Sequence, residues 1–242
     1  MQLRTRRIKF NKGSSKLEKF LTFYFLILII IGTIFNLLKN KTYYNVWTIG
    51  EWLINYQGGF VRRGLFGSII YKLSHTLNIN PIVIIHVSTL LFFVSFLYLL
   101  KDSKKYFSTV FLLSPIVSLA PLLGDYLVRK DVSGIVAYAI CTNLITKNNK
   151  FPNFLLVNLI SCLSILNHES YVFYSIPSLL LLHFFSSQNT LGSKNNFLKI
   201  IKAIIYILPT FIVALIVFYF KGNYLIAFKI NESWLNLSLI HI

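Results

Sequence analysis

Long runs of uncharged, apolar residues recur along this chain and limit what it can fold into. The first run, residues 20–38, has about the 20 residues that a helix needs to cross the hydrocarbon core of a bilayer. Only 13% of the 242 residues are charged, against about 25% in soluble domains. Because a helix in lipid satisfies its own backbone hydrogen bonds, the sequence predicts an all-α, polytopic transmembrane helix bundle.

The apolar runs predict about seven membrane spans. They cover residues 20–38, 81–100, 106–123, 132–146, 154–166, 171–185 and 203–220. The fourth and fifth runs are shorter than a full crossing, so we expect their polar ends to lie recessed in a water-filled pocket under the preceding loop. The transmembrane domain as a whole is predicted to cover residues 20–220.

The distribution of basic residues predicts the orientation of the chain. Residues 1–19 are rich in lysine and arginine and contain one acid, Glu18, which indicates a basic, cytoplasmic N-terminus. Residues 39–80 then form a long extracytoplasmic loop after the first span, with an interfacial helix over residues 65–77. Residues 221–242 are expected to be a short extracytoplasmic tail that ends a truncated chain. The net charge of +17 is explained by topology and by contact with membrane lipid, so no nucleic acid partner is expected.

One segment of the long loop places two adjacent arginines, Arg62 and Arg63, between glycines. Guanidinium groups suit forked, two-point binding of phosphate, and we expect Gly58, Gly59 and Gly64 to let the backbone approach a ligand. The alternative is a tight turn whose arginines point toward lipid headgroups. The sequence alone leaves both interpretations open.

Most of the seven acidic residues fall on the predicted outer face, although that face has fewer bases. We therefore expect one site there, since ionisable groups at membrane depth are costly and usually functional. Its expected members, besides the two arginines, are the charged and titratable residues Glu51, Asp125, Arg129, Lys130, Asp131, His168 and Glu169.

Different roles are expected for these side chains. Arg129 and Lys130 would add positive charge for binding substrate, and His168 and Glu169 would act as general acid or base. Neighbouring residues do not face each other on a helix, so the partner of His168 is expected to be Glu51, Asp125 or Asp131. The two aspartates could orient a sugar hydroxyl, act as base or hold a divalent cation, but the ligands are too sparse to predict a metal site.

Other classes of chemistry lack a sequence signal. Cys141 and Cys162 lie inside apolar runs, which favours packing over a disulfide or a metal site. Phosphate-binding loops, dinucleotide fingerprints, zinc-protease motifs and serine nucleophile elbows are not found. We therefore predict no cofactor.

Three short motifs resemble those of a known group of proteins. Residues 59–64, Arg129-Lys130-Asp131 and His168-Glu169 are similar to motifs in polytopic proteins of bacterial surface-polysaccharide gene clusters, many of which are assigned as O-antigen or capsule repeat-unit polymerases. The resemblance covers about residues 45–175. Such polymerases usually have ten or more spans, so this chain is short for the group.

The resemblance implies a location, a reaction and residue roles. It implies a multi-pass protein of the bacterial inner membrane that transfers glycosyl groups between polyprenyl-diphosphate-linked oligosaccharides on the periplasmic face, for lipopolysaccharide or capsule. Arg62, Arg63 and Arg129 would bind the diphosphate. His168, Glu169 or Asp131 would activate the acceptor hydroxyl. Other polysaccharide-assembly proteins would be its partners.

Three alternatives remain at the level of sequence. The first is a transferase that uses a polyprenyl-monophosphate sugar, with Glu51 in the outer loop as its acidic residue. The second is a flippase for the lipid-linked oligosaccharide, which should carry polar residues through the depth of its spans. The third is a non-catalytic partner in an assembly complex.

Overall fold

A computed structural model describes residues 16–42, 46–103, 108–114, 117, 129–147, 151–188 and 196–235, and in these ranges all regular structure is helical. The helices are α1 (Lys16–Thr42), α2 (Val46–Leu53), α3 (Gly64–Leu77), α4 (Pro81–Ser103), α5 (Thr109–Leu113), α6 (Asp131–Lys147), α7 (Phe151–Asn167), α8 (Tyr171–Gln188), α9 (Asn196–Tyr219) and α10 (Tyr224–Leu235). The all-α prediction is confirmed for the described part of the chain.

Three of the described helices are long and apolar enough to cross a membrane. The qualifying segments are Lys16–Phe35, Pro81–Lys101 and Phe197–Tyr219, which lie in α1, α4 and α9. Three shorter apolar helices, α6, α7 and α8, fall where the short runs were predicted. Most of the predicted third span, residues 106–123, lies outside the described residues; its described part includes α5, which ends at Leu113 just before Pro115.

The main core is built from the inner faces of α6, α7, α8 and α9. Cys141, Ile145, Ile165 and Val217 are fully buried there. Polar side chains also cross between helices at this depth: Asn158 donates to the backbone oxygen of Tyr206 at 2.9 Å and accepts from Thr210 at 2.8 Å. Such bonds hold transmembrane helices together where lipid leaves the hydrophobic effect weak.

A second core joins α2, α3 and the start of α4 with α10. Its buried members include Trp52, Ile70, Ile85 and Trp234, and the indole nitrogen of Trp234 donates to the backbone oxygen of Leu53 at 2.8 Å. The prediction of a plain tail after residue 220 is therefore incomplete. Residues 224–235 instead form the 12-residue helix α10, whose buried Trp234 contacts Leu53 at the end of α2 and Tyr71 of α3, and sequence periodicity over so short a segment does not indicate these contacts.

The predicted interfacial helix over residues 65–77 corresponds to α3. Its Ile69, Leu73 and Leu77 point outward and are exposed, whereas Ile70 and Ser74 on the opposite face are buried. Ile69, Leu73 and Leu77 thus form the outer face of α3. The inner face packs against α2, α4 and α7.

Several helix ends meet at one end of the bundle. The bonds that join them run between the end of α2, the start of α3, the start of α6 and the turn from α7 to α8. The end of α9 joins the same region, because the backbone N–H of Arg62 donates to Phe220 O at 3.3 Å. The polar residues between these helices are thereby collected in one place.

Replacing Gly67 with alanine is expected to loosen the packing of α3 on α2. A Cβ at residue 67 would overlap the backbone oxygen of Ile54 and lie 2.8 Å from that of Trp52. Backbone atoms cannot turn aside as a side chain can, so overpacking should cost about 1–3 kcal/mol. The effect is measured as a lower apparent melting temperature of the purified protein in detergent.

Gly50→Ala in α2 is the matched control. A Cβ there meets nothing within 4 Å, and alanine favours a helix over glycine. We expect this variant to keep or raise the melting temperature. Equal melting temperatures for the two variants would contradict the packing described for Gly67.

Candidate functional site

Arg63 lies at the centre of the charged cluster, immediately before α3. Its backbone is left-handed, with φ 67° and ψ 7°, a conformation that costs an L-residue about 1–2 kcal/mol. In this conformation the Arg63 side chain reaches Glu169 in the connection between α7 and α8. The strain is therefore offset by contacts that this side chain makes elsewhere in the fold.

The Arg63 guanidinium bridges two carboxylates from distant parts of the chain. Its Nε and Nη2 donate to Glu169 Oε2 and Oε1 at 2.7 and 2.6 Å, and its Nη1 donates to Glu51 Oε1 at 2.7 Å. Glu51 and Glu169 are both buried. A forked bond to one carboxylate and a single bond to another use most of the donors that a guanidinium has.

The electrostatics of these carboxylates follow from that geometry. Burial alone raises the pKa of Glu169, but the hydrogen bonds and charge of Arg63 outweigh it and lower the pKa to about 2. Burial also raises the pKa of Glu51, and its interactions with His168 and Arg63 bring it below the ordinary value. Hydrogen bonding to Glu169 raises the pKa of Arg63. All three groups are therefore ionised at neutral pH.

His168 lies between two carboxylates, as expected from the sequence. Its Nε2 is 3.7 Å from Glu51 Oε2, and its Nδ1 is 3.9 Å from Asp131 Oδ1. Both separations exceed hydrogen-bond length, and within the described residues the buried Nε2 has no hydrogen-bond partner. A buried ring nitrogen left unsatisfied beside a carboxylate is well placed to exchange a proton with a ligand.

Ser170 connects the other side of the His168 ring to Asp131. The Ser170 hydroxyl donates to Asp131 Oδ1 at 3.2 Å and its oxygen lies 2.7 Å from Nδ1, and the backbone N–H of Ser170 donates to Nδ1 at 3.2 Å. When the hydroxyl donates to Asp131, Nδ1–H donates to the hydroxyl and the Nε2 lone pair acts as a base. When Nδ1 accepts, the proton is on Nε2, which then acts as a donor.

Lys130 faces the interior, contrary to its expected role in binding substrate. Its side chain is fully buried, its Nζ donates to the backbone oxygen of Arg63 at 2.8 Å, and its Nζ lies 5.8 Å from the centre of the Trp52 ring. Burial lowers the pKa of Lys130 to about 7. Lys130 thus supports the left-handed backbone of Arg63.

Two guanidiniums of the site are more accessible than that of Arg63. The Arg62 side chain is 39% exposed and approaches Glu169 Oε1 only at 3.6 Å. The Arg129 side chain is 33% exposed, with its Nε 3.2 Å from Asp131 Oδ2. These side chains, at the edge of the cluster, are the ones placed to meet an anion.

The glycines of the arginine segment serve the fold of this protein. A Cβ on Gly64 would overlap the ring of Tyr56, and one on Gly58 would overlap the backbone of Ile226 in α10. Gly59 adopts φ 121° in the turn closed by its own N–H and Tyr56 O. Gly58 and Gly64 therefore serve close packing and Gly59 a turn, and the expectation that Gly59 lets the backbone approach a ligand stays a prediction.

The fold brings most of the expected site residues together in one cluster. Glu51, Arg63, Asp131, His168 and Glu169 form the connected cluster, with Arg62 and Arg129 at its edge and Lys130 beneath it. Asp125 lies outside the described residues. Ion pairs and hydrogen bonds join the start of α6 and the turn from α7 to α8 to the loop that follows α2, and the water-filled pocket stays a prediction.

The sequence did not indicate Ser170, Asn167 or Trp52 as site residues. Asn167 Nδ2 donates to Ser133 Oγ at 2.9 Å, which fixes the end of α7 against the start of α6. A weak signal for Ser170 existed, because it comes two residues after His168 and just before α8. Among the described residues, no group of three or more His, Cys, Asp and Glu side chains is arranged to hold a metal ion.

The described architecture defines a helical protein with three helices long and apolar enough to cross a membrane and a buried ion cluster at one end of its bundle. Comparison with protein-family models, with curated proteins and with solved structures found no match.

Replacing Arg63 with alanine is expected to destabilise the protein far more than replacing Arg62. Loss of Arg63 leaves Glu51 and Glu169 buried without their cation, which typically costs about 3–5 kcal/mol. Arg62 makes one long contact from an exposed position, so Arg62→Ala should change stability little. Thermal unfolding of both purified variants in detergent measures the difference. A similar loss of melting temperature in both variants would show that Arg63 does not stabilise the fold more than Arg62 does.

Acid should destabilise the protein in a window set by Glu169. The unfolded chain binds a proton near the ordinary pKa of 4.5, whereas folded Glu169 binds it only near pH 2. The unfolded state therefore holds more protons in this interval, and stability should fall as pH drops from about 4.5 toward 2. Apparent melting temperatures across this range measure the fall. A Glu169→Gln variant should start lower and have a flatter pH dependence, and an unchanged slope would contradict the assignment.

Proposed function

We propose that this chain is an integral membrane glycosyltransferase of the surface-polysaccharide polymerase kind. In this proposal, it moves a saccharide from a polyprenyl-diphosphate carrier to the hydroxyl of an acceptor saccharide at the periplasmic face of a bacterial inner membrane. The observation that carries the proposal is the buried His168 Nε2, which lacks a hydrogen-bond partner among the described residues and lies 3.7 Å from Glu51.

The proposed reaction assigns a proton step to His168. Nε2 accepts the proton of the acceptor hydroxyl as the hydroxyl oxygen bonds to the anomeric carbon of the donor sugar. The bond between that carbon and the phosphate oxygen breaks, and the polyprenyl diphosphate leaves with the electron pair. In the tautomer that this step uses, Nδ1–H donates to the Ser170 hydroxyl, the hydroxyl donates to Asp131, and the Nε2 lone pair is free to accept the proton.

The cations of the site divide between two tasks in this proposal. Arg62 and Arg129, which are partly exposed, stabilise the negative charge that develops on the leaving diphosphate. Arg63 is held by Glu51 and Glu169 and fixes the loop before α3 against the turn between α7 and α8. Lys130 stabilises the backbone of Arg63 through the bond from its Nζ to the Arg63 carbonyl oxygen.

The membrane topology belongs to the same proposal. The chain crosses the membrane about seven times with its N-terminus in the cytoplasm, and residues 39–80 form the outer loop. Its support is that the end of α7, the starts of α6 and α8 and the end of α9 gather at one end of the bundle. Successive crossings alternate in direction, so helix ends of these kinds fall on the same face.

A second candidate is a transferase that uses a polyprenyl-monophosphate sugar, with Glu51 as the base. It is favoured by the position of Glu51, a buried carboxylate in the first segment after α1, whose pKa is lowered although burial opposes ionisation. Glu51→Gln separates the candidates when both donors are offered. Transfer from the monophosphate donor that survives this substitution excludes Glu51 as its base.

Replacing His168 with glutamine is expected to lower the rate of glycosyl transfer by about 10²–10⁴-fold, the usual contribution of a general base. The assay uses the purified protein with lipid-linked oligosaccharide and measures the length of the glycan. His86→Gln is the matched control, because His86 bonds within α4 to Ile82 O and takes no part in the cluster. Normal glycan lengthening by the His168 variant would overturn the proposed role.

A further inference from the structure

A cavity of about 480 Å³ lies between α2, the loop that follows it and α10. Ligand pockets in proteins have volumes of about 300–1,000 Å³, so the cavity has the size of a binding site. Its wall is largely apolar, with contributions from Leu53, Ile54, Val61, Ile226, Ile230 and Trp234. We call it the α2–α10 groove.

The charge that the described lining residues give the groove is positive. Among the described residues that line it, Lys221 is the charged one and no acid is present. The Lys221 side chain is exposed, at the segment between α9 and α10. An apolar wall with a cation at its edge is complementary to a ligand that has a hydrocarbon chain and an anionic head.

The groove continues into the candidate site along the chain. Val61 lines the groove, and the next residue, Arg62, approaches Glu169 Oε1 at 3.6 Å. The backbone N–H of Arg62 donates to Phe220 O, which directly precedes Lys221. This bond therefore joins Arg62 to the residue that precedes Lys221 and brings the two backbone positions close together.

The outer side of α10 also suits a lipid. Leu225 is 68% exposed and Phe228 is 56% exposed, so this helix presents apolar side chains away from the protein as well as toward the groove. In a chain with helices long and apolar enough to cross a membrane, such a surface suits contact with acyl or isoprenoid chains. A lipid could enter the groove from that side without crossing water.

We propose that the α2–α10 groove binds the isoprenoid segment next to the phosphate of a polyisoprenyl-phosphate lipid, with Lys221 and Arg62 contacting the phosphate. This assignment rests on the proposed function and specifies where that function holds its lipid carrier. The groove accommodates the part of the chain nearest the phosphate, and the remainder of the chain extends into the bilayer. The head of the lipid is thereby directed toward His168.

The test measures binding directly and does not depend on transfer. Radiolabelled polyprenyl phosphate is titrated into the purified full chain in detergent, and dissociation constants are compared among variants. Ala227→Trp fills the groove, because Ala227 is one of its lining residues, and it should weaken binding about tenfold or more. Leu225→Trp on the exposed side of α10 is the matched control and should bind as the unmodified protein does.

A second pair of variants tests whether Lys221 contacts the phosphate of the lipid. Lys221→Ala should weaken binding of polyprenyl phosphate several-fold and leave binding of the uncharged polyprenol unchanged, because its contribution is a charge interaction. Lys229→Ala is the matched control, since Lys229 is exposed on α10 and does not line the groove. Melting temperatures of all four variants establish that they are folded.

The outcomes separate the two proposals. Absence of binding to the unmodified protein, equal binding by the Ala227 and Leu225 variants, or full displacement by a modest excess of phosphatidylglycerol would overturn the groove assignment. Displacement by that phospholipid would identify the groove as a general lipid site. Groove-dependent binding without transfer from any lipid-linked donor would leave the assignment standing and refute the proposed function.

Discussion

The bridge made by the Arg63 guanidinium between Glu51 and Glu169 is the interaction on which the end of the bundle depends. Two buried carboxylates so close together would be costly without a cation between them, because the interior screens charge poorly. The forked bond at 2.6 and 2.7 Å supplies that cation and satisfies both oxygens of Glu169. The guanidinium thereby links α2 and the start of α3 to the turn between α7 and α8, which lies 106 residues further along the chain.

The same bridge explains why two adjacent arginines differ so much. Arg63 adopts a left-handed backbone, which turns its side chain inward, and Lys130 bonds its carbonyl oxygen. Arg62, one residue earlier, stays at the surface with an exposed side chain. One arginine of the pair is committed to structure, and the other remains accessible to an anion.

The placement of His168 follows from the ion cluster. The Arg63–Glu169 bonds fix the turn between α7 and α8, and Ser170 in that turn fixes the ring against Asp131. The imidazole is thus held between acids from two other elements with its Nε2 unsatisfied in the described structure. The orientation of the imidazole is thus fixed by groups that are themselves held by buried ion pairs, which is the preorganisation that the proposed proton step requires.

The sequence by itself determined the helical class, the approximate bounds of the apolar helices and the charged residues that would gather, because hydropathy and scarce charges are properties of composition and order. It also indicated that His168 would find its partner outside its own helix, and Glu51 and Asp131 now flank it. Only the tertiary structure decided that Lys130 points inward, that Gly58 and Gly64 serve packing, and that Trp234 of α10 bonds the end of α2. Those outcomes depend on the direction of side chains and on contacts between distant segments, and neither is encoded in the local pattern of residues.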